Sequence, residues 1–274
     1  MSPSTRTTET GENFPVALRV LPARVRSELQ ATYRYARHVD DLGDELDGDR
    51  VAALEQVADQ VRRLYAGRAV TDPVVAAMGP LVTRAGVPAH CLLRLVEANL
   101  RDQDRTRYQS FTELVDYCRL SANPVGEIVL AVFGAATRDR VELSDRVCTA
   151  LQLLEHWQDI GEDYARGRVY LPKEDLDRFG VTEDELDVPR ADVALRRLVA
   201  FETERAAAWL GAGAPLASTL RGWARLAVSG YLAGGRAAAN RIRRAGYDTL
   251  GGDVKPTRSD VAAAWADGLL RRAG

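Results

Sequence analysis

Apolar residues recur along this chain at the three- and four-residue spacing of an amphipathic helix. Near the start this spacing is carried by Leu29, Tyr33, Ala36 and Val39. The run 147–154 is mostly apolar and is expected to be central. The sequence contains no sustained alternation of apolar and polar residues and no Asn-Gly turn, which are the usual signs of paired strands. The pattern therefore predicts an all-α protein.

The 274 residues, of which 46% are hydrophobic, can bury one sizeable core. No linker divides the chain, so we predict one domain over residues 1–274, with the polar residues 1–10 disordered. A net charge of −2 provides no field that attracts nucleic acid. Three dispersed cysteines argue against a disulfide framework or a zinc site and for a reducing compartment. Because no signal peptide and no apolar run of ~20 residues is present, we expect a cytoplasmic protein.

Capping residues, prolines and glycines predict where the helices begin and end. The predicted segments are a helix from Pro22, helices over 51–66, 72–85 (broken at Gly79-Pro80), 88–100 and 110–133 (kinked at Pro124), a helix from residue 143, and helices over 189–210, 215–244 and 259–272.

Four acidic residues lie close together near the end of the first predicted helix. Residues four apart share one helical face at about 6 Å, so Asp40 pairs with Asp44 and Asp41 with Glu45. Like charges at this spacing destabilise a helix unless a cation or solvent offsets them. The pattern is consistent with a solvated acidic surface or with a face that binds a cation.

A second acidic stripe follows the apolar run 147–154. Glu155, Asp159 and Asp163 fall at i, i+4 and i+8. Because the same helix is mostly apolar before them, these carboxylates should emerge from the core, where a charge must be paired or bind a metal. Facing carboxylates on opposed helices are how helical bundles build metal sites. We therefore predict that the two stripes face each other.

The donor types indicate which ion these stripes bind. The donors are oxygens alone, which fits a hard cation such as Mg²⁺, an ion that also takes water and phosphate oxygens as ligands. Two such clusters can hold a diphosphate and offset the charge on departing pyrophosphate. The basic residues close to the stripes, which would complete a diphosphate clamp or form surface ion pairs instead, are Arg37, Arg166, Arg168 and Lys173.

These motifs together resemble the squalene/phytoene synthase family of head-to-head prenyl synthases. The resemblance covers nearly the whole chain and is carried by the two stripes, the segment 117–126 between them and the run QDIGEDYARGRVYLP over 158–172. It implies an all-α isoprenoid-synthase bundle with a central cavity and Mg²⁺ bound at its mouth. The implied catalytic magnesium ligands are Asp40, Asp44, Asp159 and Asp163, and Glu155 extends the second stripe.

The resemblance also implies positions that bind the substrate. Diphosphate-binding and cavity-closing positions of the family fall on Tyr33, Arg37, Arg168 and Tyr170. Asn13 and Phe14 stand where other members have a Ser-rich motif with a Phe.

The segment between the stripes bears on the reaction. Squalene- and phytoene-forming members usually carry aromatic residues before a Val-Ala-Gly-x-Val-Gly run, whereas this chain has SANPVG over 121–126. That version, with ENFPVA over 12–17, is similar to the hydroxysqualene synthases of bacterial hopanoid pathways. Those enzymes ionise presqualene diphosphate, rearrange the cation and capture it with water, without NADPH. Asn123 is therefore a candidate for orienting the water, or it satisfies the backbone groups that Pro124 frees.

Other functions stay open at this point. An alternative within the family is the condensation of two farnesyl diphosphates, as in a presqualene diphosphate, dehydrosqualene or squalene synthase, or the synthesis of phytoene. An alternative outside catalysis is a noncatalytic isoprenoid-binding subunit. In every case the expected ligand is a prenyl diphosphate, and a hydrophobic product suggests transient contact with a membrane or with the next enzyme of a hopanoid pathway.

Overall fold

The computed structural model describes residues 21–252, 254–257 and 259–264. Within these ranges the chain forms helices and no strand, which confirms the all-α prediction. An isolated parallel bridge joins Arg107 to Val169. Among the described residues, no helix is long and apolar enough to cross a membrane.

The α-helices of the described chain are numbered in order. They are α1 (Ala23–Asp44), α2 (Arg50–Tyr65), α3 (Pro73–Ala76), α4 (Ala89–Asp104), α5 (Phe111–Ser121), α6 (Asn123–Val132), α7 (Arg138–Gln158), α8 (Ile160–Ala165), α9 (Lys173–Phe179), α10 (Val193–Gly213), α11 (Leu216–Thr219) and α12 (Gly222–Arg244). A π-helix spans Leu81–Ala85, a 3-10 turn spans Glu183–Leu186, and residues 259–264 are helical.

Helix α7 lies at the centre of the bundle, as the apolar run predicts. It packs against α5, α6, α10, α11 and α12. Leu151 belongs to an apolar cluster shared with α1, α2, α4, α6 and α12, whereas Leu153 and Trp157 belong to a second cluster shared with α5, α9 and α10. Burying apolar side chains on both flanks fixes α7 and its carboxyl-terminal end, from which the second acidic stripe emerges.

The predicted kink at Pro124 is confirmed as a break between two helices. Helix α5 ends at Ser121, and α6 begins at Asn123 with Pro124 in its first turn, where a missing N–H is tolerated. At its other end, α5 is capped by Ser110, whose Oγ accepts a hydrogen bond from the Glu113 amide at 3.3 Å. The break leaves residues 121 and 122 at a bend beside α7.

Two predicted boundaries on the carboxyl-terminal side are wrong. Helix α10 begins at Val193 rather than at residue 189, because the Asp192 carboxylate caps it by accepting a hydrogen bond from the Leu195 amide at 2.8 Å. The predicted helix over 215–244 is two helices. Helix α11 ends at Thr219, whose carbonyl accepts a hydrogen bond from Arg140 at 2.7 Å, before α12 begins.

Two other predicted segments are too short. The central helix starts at Arg138, five residues before the predicted residue 143, and α4 continues to Asp104 instead of ending at residue 100. The extra turn of α4 is rich in charged residues, a composition that is also typical of an exposed connection between helices. Asp102 of this turn lines the candidate active site.

Candidate active site

Two joined cavities lie between α1, α4, α5, α6 and α7. The first, here called the polar mouth, has a volume of about 200 Å³ and is lined by Asp40, Asp44, Leu95, Asn99, Asp102, Tyr117, Ser121, Gln152, Glu155, His156, Asp159, Asp163, Arg166, Arg168 and Tyr170. The second, here called the inner cavity, has a volume of about 230 Å³ and is lined by Leu29, Thr32, Tyr33, Ala36, Asp40, Ser121, Ala122, Val125, Val129, Cys148, Leu151, Gln152, Glu155 and Tyr231. The residues shared by both are Asp40, Ser121, Gln152 and Glu155, so the polar mouth opens into the mostly apolar inner cavity.

The first acidic stripe contributes Asp40 and Asp44 to the polar mouth. Asp40 Oδ1 accepts a hydrogen bond from Asn99 Nδ2 on α4 at 2.9 Å. Asp44 accepts one from the guanidinium of Arg168, which comes after the second stripe. The contact between Asp44 and Arg168 joins segments 124 residues apart. Side chains of both stripes line the polar mouth, so the stripes face each other as predicted.

The other acidic pair of α1 lies on the protein surface. Asp41 and Glu45 both form ion pairs with Arg37. Asp41 Oδ1 lies 2.8 Å from Arg37 Nε, and Glu45 Oε1 lies 3.2 Å from Arg37 Nη2. All three side chains are more than 40% exposed. Arg37 therefore does not line the polar mouth in this conformation, and its predicted contact with a diphosphate requires the side chain to leave these partners.

The second stripe reaches the polar mouth although its helix is interrupted. Helix α7 ends at Gln158, and Asp159 separates it from α8. The amide of Asp159 still donates to the Glu155 carbonyl at 3.0 Å, and the amide of Asp163 donates to the Asp159 carbonyl at 2.8 Å. These i,i+4 hydrogen bonds preserve the spacing across the interruption, so the three carboxylates line one cavity.

A cationic side chain from the carboxyl-terminal segment reaches the second stripe. Lys255 Nζ lies 3.0 Å from Asp159 Oδ1, and the segment is held in place because Gln158 Nε2 donates to the Val254 carbonyl at 2.8 Å. Burial raises the pKa of Asp159 above its usual range, and the Lys255 ammonium opposes this shift. Lys255 thus supplies positive charge where the carboxylates require it.

Arg168 owes its position to the turn before it. Gly167 has φ of 80°, a left-handed conformation that glycine adopts without strain. The bridge between Arg107 and Val169 then fixes the strand-like residues that follow. The Arg168 side chain, 16% exposed, enters the polar mouth. By contrast, Arg166 lines the mouth at its exposed rim, and Lys173 pairs with Asp177 outside it.

Helix α4 supplies polar groups that were missed in the sequence. Asn99 and Asp102 line the polar mouth with Leu95, and their four- and three-residue spacing would have signalled this shared face. Burial raises the pKa of Asp102 to about 7, and the hydrogen bond that the Tyr117 hydroxyl donates to it opposes the shift. Asp102 is therefore a carboxyl group of the polar mouth that takes up a proton near neutral pH.

Aromatic side chains form the floor of the polar mouth. Tyr170 stacks on His156 with ring centroids 3.7 Å apart, and Tyr117 and Tyr108 lie behind it at 5.8 Å. His156 Nδ1 is 3.9 Å from Asp163 Oδ2. The structure therefore places Tyr170 at the polar mouth. Tyr33, also predicted to contact substrate, lines the inner cavity.

Asn123, predicted to orient the water, lies outside both cavities. Asn123 is buried, and its Oδ1 accepts a hydrogen bond from Thr149 Oγ1 at 3.0 Å. It does not line the polar mouth or the inner cavity, where Ser121 and Gln152 are the uncharged polar groups at the junction. Asn13 and Phe14 lie outside the described residues.

The donor set of the polar mouth fits Mg²⁺. Six side chains that carry carboxyl groups line it, against two arginines, and every candidate ligand of the two stripes offers oxygen. Six carboxyl-bearing side chains crowded around one cavity repel one another unless cations offset their charge, and oxygen donors with room for phosphate and water suit Mg²⁺.

Comparison with known proteins relates this architecture to one family. The sequence model of the family described as squalene/phytoene synthase matches residues 7–260. The chain is 36% identical over 217 residues to a hydroxysqualene synthase of Rhodopseudomonas palustris. The aligned region covers 78% of this chain and 73% of that protein. It is 34% identical over 205 residues to a presqualene diphosphate synthase of Sinorhizobium fredii, with 73% and 72% covered.

A solved structure gives the same result. The crystal structure of squalene synthase HpnC from Alicyclobacillus acidocaldarius is similar with a TM-score of 0.79 and 42% sequence identity, over 85% of this chain and 88% of that chain. The all-α fold, the facing acidic stripes and these matches agree. The chain therefore belongs to the squalene/phytoene synthase family.

Proposed function

We propose that this protein converts presqualene diphosphate and water into hydroxysqualene and diphosphate, with Mg²⁺ as cofactor. The observation that carries the proposal is the junction between the two cavities. A carboxylate-lined mouth that holds Mg²⁺ suits a diphosphate, an apolar cavity suits a hydrocarbon, and the uncharged polar groups of Ser121 and Gln152 lie where the two meet. Similarity to a hydroxysqualene synthase supports this reaction.

The two stripes would hold the metal. The ligands would be Asp40, Asp44, Glu155, Asp159 and Asp163, which all line the polar mouth. When bound, Mg²⁺ offsets the negative charge that develops on the diphosphate as its bond to carbon breaks.

The chain's own cations bind the diphosphate. Arg168 presents a planar guanidinium that can donate two parallel hydrogen bonds to phosphate oxygens, and Arg166 stands at the rim of the same mouth. Because Arg168 pairs with Asp44 in this structure, the incoming diphosphate replaces a carboxylate as its partner.

The inner cavity protects the cation that remains. Leu29, Val129 and Leu151 exclude bulk water from the hydrocarbon, and the rings of Tyr33 and Tyr231 offer π faces that stabilise positive charge. A water held at the junction then adds its oxygen to the cationic carbon and loses a proton. This outcome consumes no reductant, in agreement with the expected independence from NADPH.

A second candidate is the condensation of two farnesyl diphosphates to presqualene diphosphate. The observation that favours it is the similarity to a presqualene diphosphate synthase, which is only slightly lower than the similarity to the hydroxysqualene synthase. Both reactions begin with loss of a diphosphate at a mouth of this kind. They differ in what meets the cation, a second prenyl chain or water.

Product analysis separates these reactions. The full chain is incubated with Mg²⁺ and either presqualene diphosphate or farnesyl diphosphate, without NADPH, and the lipids are identified by mass spectrometry. Hydroxysqualene formed from presqualene diphosphate is the expected result. Products from farnesyl diphosphate alone would establish the condensation instead. A protein that binds both compounds and turns over neither would be a noncatalytic isoprenoid-binding subunit.

Two variants test where the water is held. Gln152→Leu removes a polar group at the junction, so it should lower the proportion of alcohol relative to hydrocarbon products. Asn123→Ala is the matched comparison, because Asn123 bonds to Thr149 and lies outside both cavities. If the alcohol fraction falls in Asn123→Ala and not in Gln152→Leu, the water is held near Asn123 and not at the junction.

A further inference from the structure

A second cluster of metal-ligating side chains lies outside the polar mouth and the inner cavity. His90 and Cys91 belong to the first turn of α4, and Glu127 lies on α6. His90 Nε2 is 2.9 Å from Glu127 Oε2 and 3.5 Å from Cys91 Sγ. One ligand atom from each residue lies within 4.8 Å of the other two. The three side chains therefore converge on one point between the two helices.

The distances suit a tetrahedral ion. Zn²⁺ binds nitrogen and oxygen at about 2.0 Å and sulfur at about 2.3 Å, so its tetrahedral ligands lie about 3.3–3.8 Å from one another. The observed separations of 2.9 and 3.5 Å approach these values, and small side-chain rotations close the difference. Nitrogen, sulfur and oxygen donors together select a transition metal, whereas Mg²⁺ prefers oxygen alone.

The burial of the cluster leaves one side open. Cys91 is fully buried, the Glu127 side chain is 17% exposed and the His90 side chain is 46% exposed. A metal held here would keep a fourth position for water on the His90 side, as three-ligand zinc sites do. Ligation requires the Cys91 thiol to release its proton to solvent. Without metal, the same residues form a hydrogen-bonded link between α4 and α6.

We propose that His90, Cys91 and Glu127 bind Zn²⁺, with water as the fourth ligand, at a site that joins α4 to α6. Helix α4 carries Asn99 and Asp102 of the polar mouth, and α6 carries walls of the inner cavity. An ion at this position fixes the two helices relative to each other and so stabilises the shape of both cavities. The site is separate from the carboxylate stripes.

Cobalt spectroscopy tests the proposal on the full chain. Co²⁺ replaces Zn²⁺, and a thiolate ligand produces a sulfur-to-cobalt charge-transfer band in the near ultraviolet that carboxylate ligands do not produce. The wild type should show this band, saturating at one equivalent, and the control Cys118→Ala should retain it, since Cys118 is a buried cysteine outside the cluster. The band should be absent in Cys91→Ser. In His90→Asn, a more exposed position that folding tolerates, the affinity for Co²⁺ should fall at least about tenfold.

Thermal unfolding gives an independent measurement. Zn²⁺ should raise the melting temperature of the wild type more than that of His90→Asn or Glu127→Gln, because ligand binding to the folded state stabilises it. Three results would overturn the site: no thiolate band in the wild type, a band that survives in Cys91→Ser, or equal Co²⁺ affinity in His90→Asn. An equal rise of melting temperature in all variants would mean that zinc binds the polar mouth instead. None of these measurements depends on turnover of a prenyl diphosphate.

Discussion

A single methyl group at Gly43 should weaken metal binding without removing any ligand. Gly43 lies on α1 between Asp40 and Asp44, and a Cβ at this position would lie 2.4 Å from Oδ1 of Asn99. Asn99 Nδ2 donates to Asp40 Oδ1 at 2.9 Å and to the Leu95 carbonyl at 3.2 Å. Gly43→Ala therefore displaces the Asn99 amide from the carboxylate that it orients.

The expected effects on stability and activity differ in size. Alanine in place of glycine within a helix stabilises it by about 1 kcal/mol. Loss of the hydrogen bond from Asn99 to charged Asp40 destabilises the fold by about 1.5–3 kcal/mol. The free energy of unfolding should therefore fall by only about 0.5–2 kcal/mol. Loss of a group that orients a metal ligand typically weakens metal affinity or activity about 10–100-fold, so the Mg²⁺ concentration at half-saturation should rise by that factor.

The assay is pyrophosphate release as a function of Mg²⁺ concentration, with the prenyl diphosphate that the wild type turns over. Urea unfolding measures stability. Gly211→Ala is the matched control, because a Cβ there meets nothing within 4 Å on α10, so it should leave the Mg²⁺ dependence unchanged. Asn99→Ala should reproduce the defect of Gly43→Ala. Unchanged half-saturation in both variants would refute the role assigned to Asn99.

Four further predictions address the mouth and the core. Asp40→Asn or Asp159→Asn should reduce turnover more than about 100-fold with an unchanged helical circular dichroism spectrum, and near-normal rates would remove the metal assignment. Arg168→Lys keeps the charge but loses the planar fork, so kcat should fall about 10–100-fold in steady-state kinetics. Lys255→Ala should lower the Mg²⁺ concentration at half-saturation about 2–5-fold, because the ammonium beside Asp159 competes with the ion. Burial raises the pKa of Glu202 to about 8, so the free energy of unfolding falls as the pH rises from 5 to 8. Urea unfolding should show that Glu202→Gln, which has no proton to release in this range and keeps an oxygen that can accept from Arg205, loses less stability than wild type between pH 5 and pH 8.

The parts of the site that depend on local spacing were predictable from the sequence. The i,i+4 relation of Asp40 and Asp44 is a property of one helix, and so is most of the second stripe. The break at Pro124 follows from the missing N–H of proline. Each of these features is determined within about two turns of the chain, so neighbouring residues suffice to predict it.

The parts that depend on tertiary packing were not predictable in this way. Asp102 looked like part of a charged connection, and only its packing against α1 turns that face into the site. Arg168 reaches Asp44 across 124 residues. Asn123 is the residue type suited to orient water, but the helix boundary at the bend places Ser121 and Ala122 at the cavity wall and directs Asn123 to Thr149.

The acidic stretch on α1 supports both of the interpretations that its sequence allows. Successive residues of an α-helix point about 100° apart, so the adjacent Asp40 and Asp41 face different environments. Asp41 pairs with Arg37, and because both side chains are more than 40% exposed, the pair contributes at most about 1 kcal/mol. Asp40 shares a cavity with five other carboxyl-bearing side chains and two arginines, so the negative side chains around it outnumber the positive ones. The charges around each aspartate therefore distinguish them: Asp40 is a candidate metal ligand because other carboxylates surround it, and Asp41 is not because Arg37 already pairs with it.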